Sequence, residues 1–396
     1  MNILIAPSWY PTAENPGSGV FFRDQALALS KAGHQVTLVY VQLVSTKKLW
    51  KENFRNEQDY YDENLHCCIL KAPSWGANRL GNVCKRYTRT MKKALKYAVI
   101  KDGPFDIAHA HSFMGAGYAL CHNRDILNCP VIVTEHLSSI TERELSNQDI
   151  RCLKDTLKNA DKFIAVSQHL ADCIKSLTGY EKEILVVPNI LNPLFHFENI
   201  QKPRNEFRFI SVGALIPRKQ MDQLIRTFSL AFETQKNVTL AIVGKGPEYD
   251  KLKTLVQELE MDERISFLGQ LSREKLAKEF TESNVFVLTS RSETFGVVYI
   301  EAMACGLPVI GTLNGGSNEV LNTYGATAVE VGNIEQLVQA MQNMKEEYDT
   351  FDFKKISENA IQRYGSQAVV ATLEFSYELL MKAEINLFSM EKSVGG

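Results

Sequence analysis

The sequence predicts an α/β protein made of two doubly wound domains in tandem. Three observations predict it. At 396 residues the chain is too long for one ordinary core. Short apolar runs of strand length alternate with amphipathic stretches of helix length, the order that builds a parallel sheet covered on both faces. That alternation pauses once, through Pro188-Asn-Ile-Leu-Asn-Pro193 and the polar stretch Glu198–Glu206 with its Pro203, and then starts again.

The first series of expected strands is Ile3–Ala6, Val36–Val41, Ile107–His109, Val131–Thr134, Phe163–Val166 and Leu185–Val187. Helices are expected between them, among them Val20–Ala32 and Thr141–Asn159, and Ser167 is placed to cap a helix. The second series is Phe207–Val212, Thr239–Val243, Arg264–Phe267, Val285–Leu288, Val309–Ile310 and Ala326–Val331. Two closing helices, about Phe353–Arg363 and Gln367–Met381, have no strand after them. The expected domains are 1–196 and 205–366.

Composition narrows the class. Hydrophobic residues make up 45% and charged residues 23%, as in a globular protein. The formal charge of −2 is unevenly spread: up to His196 there are 23 Lys/Arg against 19 Asp/Glu, roughly +4, and the rest carries roughly −6. The eight cysteines show no Cys-x-x-Cys pair, and adjacent Cys67 and Cys68 cannot easily bridge each other, so reduced thiols are expected. Met-Asn-Ile-Leu-Ile-Ala-Pro reads as a first strand rather than a signal peptide, and no apolar run is long enough to span a membrane. These features predict a cytoplasmic protein, and nothing suggests a nucleic-acid partner.

Residues 290–319 carry the chemistry. Glu293 falls in a polar, glycine-containing turn after the strand Val285–Leu288. Glu301, eight positions on, falls on an apolar helical stretch (Val297, Ile300, Ala304) that Gly306-Leu-Pro308 terminates. A helix start offers free N–H groups and a positive dipole end to an anion, and carboxylates beside it accept from sugar hydroxyls. The unit therefore suits a molecule anionic in the middle and polyhydroxylated at both ends, a nucleotide diphosphate sugar. Upstream, Gly213-Ala-Leu-Ile-Pro-Arg218-Lys219 follows a strand, and its two cations suit phosphate oxygens. Gly244-Lys-Gly246-Pro247 and Leu268-Gly269-Gln270-Leu271 are further turns at strand ends. Tyr249 stands where a third dinucleotide glycine would be, so a dehydrogenase is disfavoured.

In the first half, Pro16-Gly17-Ser-Gly19 opens the first helix, and small residues there let a ligand approach the backbone. His109 and His111 alternate onto one side of their strand, and His136 ends a similar strand, Thr134-Glu135-His136. None of these three histidines has cysteine or carboxylate neighbours at zinc spacing and no Asp-x-Asp occurs, so no metal is implied. His34 reads as a structural turn residue. The stretch Arg79–Lys101 holds eight Lys/Arg and no acid, with Leu80, Val83, Tyr87, Met91, Leu95 and Ala98 at helical spacing. It fits a helix lying on anionic lipid and, equally, a surface helix with one core face. Lys47, Lys48, Lys51 and Arg55 add a second basic run.

Glu293 to Glu301, with Ala304-x-Gly306-x-Pro308-Val309 and Gly315-Gly316-x-x-Glu319, resembles the Glu-x7-Glu motif of the retaining GT-B glycosyltransferases of family four. The resemblance implies two Rossmann-like domains facing across a cleft, with the final helix, about 367–396, packed back on the first domain. It implies transfer of a hexose-type sugar from a UDP- or GDP-sugar to a hydroxyl of a glycan or lipid-linked glycan, with retention and without a metal or cofactor. Bacterial cell-surface polysaccharide or glycolipid synthesis, at the inner face of the plasma membrane, is the implied setting. Glu293, His111, Arg218 and Lys219 would be catalytic. Gly17, Gly19, Gly213, Gly244, Gly246, Phe295, Gly296, Val297 and Glu301 would bind the donor. The chain departs from the family at Ala214, where Arg is usual, and at Gln220, where Gly is usual. A GT-B sugar phosphorylase, a nucleotide-sugar epimerase and a non-catalytic nucleotide-sugar-binding subunit share these loops and stay open as alternatives.

Overall fold

A computed structural model describes residues 1–12, 17–44, 57–73, 80–199 and 205–394, with side chains left out at 57, 80–85 and 384–394. Pro16, Lys47, Lys48, Lys51, Arg55, Arg79 and Pro203, all used in reading the sequence, lie outside the described residues, as do the side chains of Leu80 and Val83. The chain divides into two units, Met1–Ile190 with Ser366–Gly396, and Leu191–Gly365.

The first unit is built on β1 Asn2–Pro7, β2 Gln35–Val44, β3 Glu57–Asp62, β4 Leu65–Pro73, β5 Ile107–His111, β6 Val131–Glu135, β7 Lys162–Ala165 and β8 Leu185–Val186. Their order in the sheet is β3-β4-β2-β1-β5-β6-β7-β8, parallel throughout except for the β3–β4 pair. Ile3, Leu4, Ile5 and Ala6 are fully buried, which a strand covered on both faces requires. The β3–β4 hairpin is not among the strands expected from the sequence.

The expected helix Thr141–Asn159 is a misreading. Ser138–Thr141 and Asn147–Asn159 are separate helices, with Arg143 left-handed between them (φ 56°). Ser146 starts the second with a capping box, accepting from Asp149 N–H while Asp149 accepts from Ser146 N–H. Ser167 caps Gln168–Thr178 by accepting from Leu170 N–H. The final helix Ser366–Val394 supplies Val369, Val370, Leu373 and Tyr377 to the same apolar core as Ile3, Ile5 and Leu38. His34 bridges the chain start to that helix through Glu374 (2.7 Å).

The second unit has β9 Phe207–Val212, β10 Val238–Val243, β11 Ile265–Gly269, β12 Val285–Leu288, β13 Val309–Thr312 and β14 Ala326–Val329, all parallel in the order β11-β10-β9-β12-β13-β14. Residues 191–196, expected in the first domain, pack here. Leu191 N–H donates to the Tyr364 carbonyl, and Phe195 is buried near Phe280. Among the described residues no helix is long and apolar enough to cross a membrane.

Candidate functional site

In each sheet the chain winds outward one way and then the other, and ligands of such sheets bind beyond the carboxyl ends of the strands at that reversal. In the second unit the reversal lies between β9 and β12. The loops following these two strands carry Arg218, Lys219 and Glu293. A seam of bonds ties the neighbouring loops together. Gly244 N–H donates to Gly269, Gly213 N–H to Val243, Leu215 N–H to Lys245, and Arg291 N–H to Arg218. The Thr289 hydroxyl meets the carbonyls of Lys219 and Gln220, and those of Thr312 and Ser317 fasten the next two turns.

The Lys219 ammonium bonds the Glu293 carboxylate, and both side chains are about nine-tenths buried. Burial pushes the Glu293 carboxyl up. The Lys219 charge and hydrogen bond, helped by Ser290 and Arg218, outweigh that and hold it below its ordinary value. Gln220 is left-handed (φ 49°), which explains why glycine would sit there without strain. Ala214 is exposed beside this loop.

Gly296 is also left-handed (φ 89°) and starts the helix Val297–Ala304, whose first N–H groups follow Glu293 by a few residues. A Cβ on Gly296 would lie 2.7 Å from the Tyr299 ring. The Phe295 ring is edge-on to Tyr364, and the residue as a whole is buried. Glu301 is buried inside the helix and lies 3.8 Å from Arg273, the first residue of the helix Arg273–Glu282. Arg273 was missed in the sequence because nothing in its spacing ties it to Glu301.

Gly244 and Gly246 have a structural reason of their own. A Cβ on Gly244 would come within 1.9 Å of the Gly213 carbonyl oxygen, and one on Gly246 within 2.2 Å of that of Leu215. These glycines let two loops pack backbone to backbone. Gly213 has ordinary space for a Cβ.

In the first unit the reversal lies between β1 and β5. Ser8, just after β1, donates to the His111 carbonyl and accepts from Ala116 N–H. Gly19 is buried and left-handed (φ 69°) at the start of the helix Val20–Lys31, pressed under Trp9, whereas Gly17 is exposed. His111 is wholly buried. Its ring lies 4.7 Å from those of Phe22 and His109, and its Nδ1 lies 3.1 Å from His136 Nε2. His109 is spoken for by Tyr377 and Thr134, each at 2.7 Å. Burial pulls His109 and His136 down to about 3 and His111 well below its ordinary value, so the cluster is neutral. His136 keeps 8% exposure, whereas His111 has none.

Glu135 is a second missed residue. Its buried carboxylate accepts from Phe113 N–H, His136 N–H, Leu137 N–H and the Ser112 hydroxyl, pinning the loops after β5 and β6. The basic helix, Leu80–Asp102, turns Tyr87, Met91, Ala94, Leu95 and Ala98 into the core. Lys92, Lys93, Lys96 and Lys101 stay exposed, as do the large apolar residues Tyr97 and Ile100.

Comparison with known proteins gives concordant matches. Residues 16–193 match the family model Glycosyltransferase Family 4, and residues 194–363 match Glycosyl transferases group 1. The chain is 25% identical over 324 residues to N-acetyl-alpha-D-glucosaminyl L-malate synthase of Bacillus anthracis, covering 74% of this chain and 84% of that protein. It is 24% identical over 366 residues to the putative teichuronic acid biosynthesis glycosyltransferase TuaC of Bacillus subtilis, covering 88% and 90%. Among solved structures, sucrose-phosphate synthase from Thermosynechococcus elongatus superposes with a TM-score of 0.78 at 21% identity, over 97% of this chain and all of that one. Anabaena HepE in complex with UDP and glucose gives 0.70 at 18%, over 96% and 100%. These two likenesses concern the fold.

Proposed function

The chain belongs to the family 4, group 1 glycosyltransferases of the GT-B fold, and from that premise we propose that it moves a hexose-type sugar from a nucleotide diphosphate sugar to an acceptor hydroxyl with retention. The observation that carries the reading is the Lys219–Glu293 pair at the reversal of the second sheet, beside the helix start at Val297.

In this reading Lys219 and Arg218 stabilise the charge that grows on the departing diphosphate. The Phe295–Val297 backbone N–H groups and the helix dipole act on the same charge. Glu293, kept ionised by Lys219, accepts from sugar hydroxyls and orients the ring. Glu301 accepts from the ribose hydroxyls, steadied by Arg273. Gly213, Gly244 and Gly246 shape the loops around the nucleotide. In the first unit Gly17 and Gly19 form the turn for the donor phosphate, and His111 positions His136 toward the sugar. The acceptor attacks on the face the diphosphate leaves, and the leaving phosphate takes its proton. No metal takes part.

The Anabaena protein's structure holds UDP and glucose, which makes UDP-glucose the first donor to test. The Bacillus subtilis protein is named for teichuronic acid biosynthesis, which supports a glycan acceptor. The apolar face of Leu80–Asp102 is used in the core, so any attachment to an anionic membrane works through its exposed lysines. The test is a transfer assay with UDP- and GDP-sugars, reading the product's anomeric configuration by NMR. Retained configuration supports the reading; an inverted product, or release of sugar phosphate only with added phosphate, overturns it.

A further inference from the structure

We propose that Asp59, His66 and Cys68 form a binding site for a thiophilic divalent transition metal of the zinc class, on the edge hairpin of the first unit. The site involves none of the residues assigned to sugar transfer.

The backbone brings the three side chains together. His66 and Cys68 are two apart on β4 and so share a face, and antiparallel pairing sets Asp59 of β3 opposite Cys68. One donor atom from each lies within 4.8 Å of the others. His66 Nε2 is the shared point, 2.5 Å from Asp59 Oδ1 and 3.8 Å from Cys68 Sγ. The far side of the ring is fixed as metal-binding histidines require: Nδ1 is bonded to Asp102, whose carboxylate accepts from the Thr37 hydroxyl at 3.0 Å. One imidazole nitrogen, one sulfur and one carboxylate oxygen suit zinc, and a thiolate excludes magnesium and calcium as preferred guests.

The His66 and Cys68 side of the cluster is buried, while Asp59 keeps 34% of its side-chain exposure and leaves a way in. Asp59 is also bonded by Lys101 and Tyr97, so the Lys101 ammonium competes for the carboxylate a metal would use. Burial, with the charges of Asp59 and Asp102, pushes the Cys68 thiol up to about 12.

The experiment is a Co²⁺ titration of the full chain after chelator treatment, followed by Zn²⁺ displacement, with circular dichroism to confirm that each variant is folded. Expected are a sulfur-to-cobalt charge-transfer band and the visible bands of a four-coordinate site, both lost on adding Zn²⁺. Cys68→Ser should lose the charge-transfer band. Asp102→Asn should bind about 10- to 100-fold more weakly. Lys101→Met should bind about two- to fivefold more tightly, the worth of an exposed ion pair removed from competition. Cobalt bound without a sulfur band, equal affinity in Cys68→Ser, or weaker binding in Lys101→Met would overturn the proposal.

Discussion

Lys219 and Glu293 form a mostly buried ion pair that joins the loop after β9 to the turn after β12. Removing one partner leaves the other charge buried and alone. Lys219→Ala should therefore cost about 3–5 kcal/mol of stability and lower kcat on the order of 100-fold. The double variant Lys219→Met, Glu293→Gln should recover most of the stability and none of the activity. Thermal melts and steady-state kinetics check both, and a Lys219→Ala protein with ordinary turnover would remove lysine from the mechanism.

Glu301→Ala should raise the donor KM about tenfold with little change in kcat, the signature of an interaction made equally in the ground and transition states. Arg273→Ala should shift KM the same way by less, because Arg273 lies 3.8 Å from Glu301 and acts by steadying it. If Glu301→Ala instead lowers kcat and leaves KM alone, the ribose assignment fails.

The buried histidines set a pH dependence. His109 and His136 titrate near 3 in the folded protein and near 6.5 when unfolded, so the unfolded chain binds more protons between those values. Their neutral forms contribute stability that is complete above about pH 6.5 and is lost as pH falls toward 3. The slope should be on the order of 1.4 kcal/mol per pH unit for each. Glu293, also depressed when folded, adds a loss at the acid end of the range. Urea unfolding between pH 4 and 8 measures the slope, and Thr134→Val with Tyr377→Phe, which strip the His109 partners, should change it. A flat profile would mean that the cluster takes up protons while folded.

Gly246→Ala and Gly269→Ala should differ sharply. Gly269 is left-handed but has open space around it, so alanine there costs about 1–2 kcal/mol of backbone strain. At Gly246 a Cβ would strike the Leu215 carbonyl, and the loop must move, so the loss should be larger and accompanied by weaker nucleotide binding. Calorimetry on the two variants decides, and equal losses would show that the two loops part easily.

Much of this was legible before the structure. The buried strands are continuous apolar runs, and the Glu293-to-Glu319 segment keeps its chemistry in sequence order. β3 escaped because Glu57–Asp62, Glu-Gln-Asp-Tyr-Tyr-Asp, carries no apolar face to read. Glu135 and Arg273 escaped because their roles rest on pairing across the fold. The His66–Asp59 and His66–Asp102 pairs are of the same kind: Asp59 comes from the neighbouring strand and Asp102 from the end of a helix, and no local pattern announces either. Gly244 and Gly246 drew notice as ligand-facing positions, yet loop packing alone already demands them.

The helix Ser366–Val394 places Tyr377 and its neighbours in a core begun by Ile3. During synthesis the first unit must wait, its apolar wall uncovered, until the whole second unit has left the ribosome. A chain truncated after Gly365 should therefore expose the first sheet to protease while the second unit resists it.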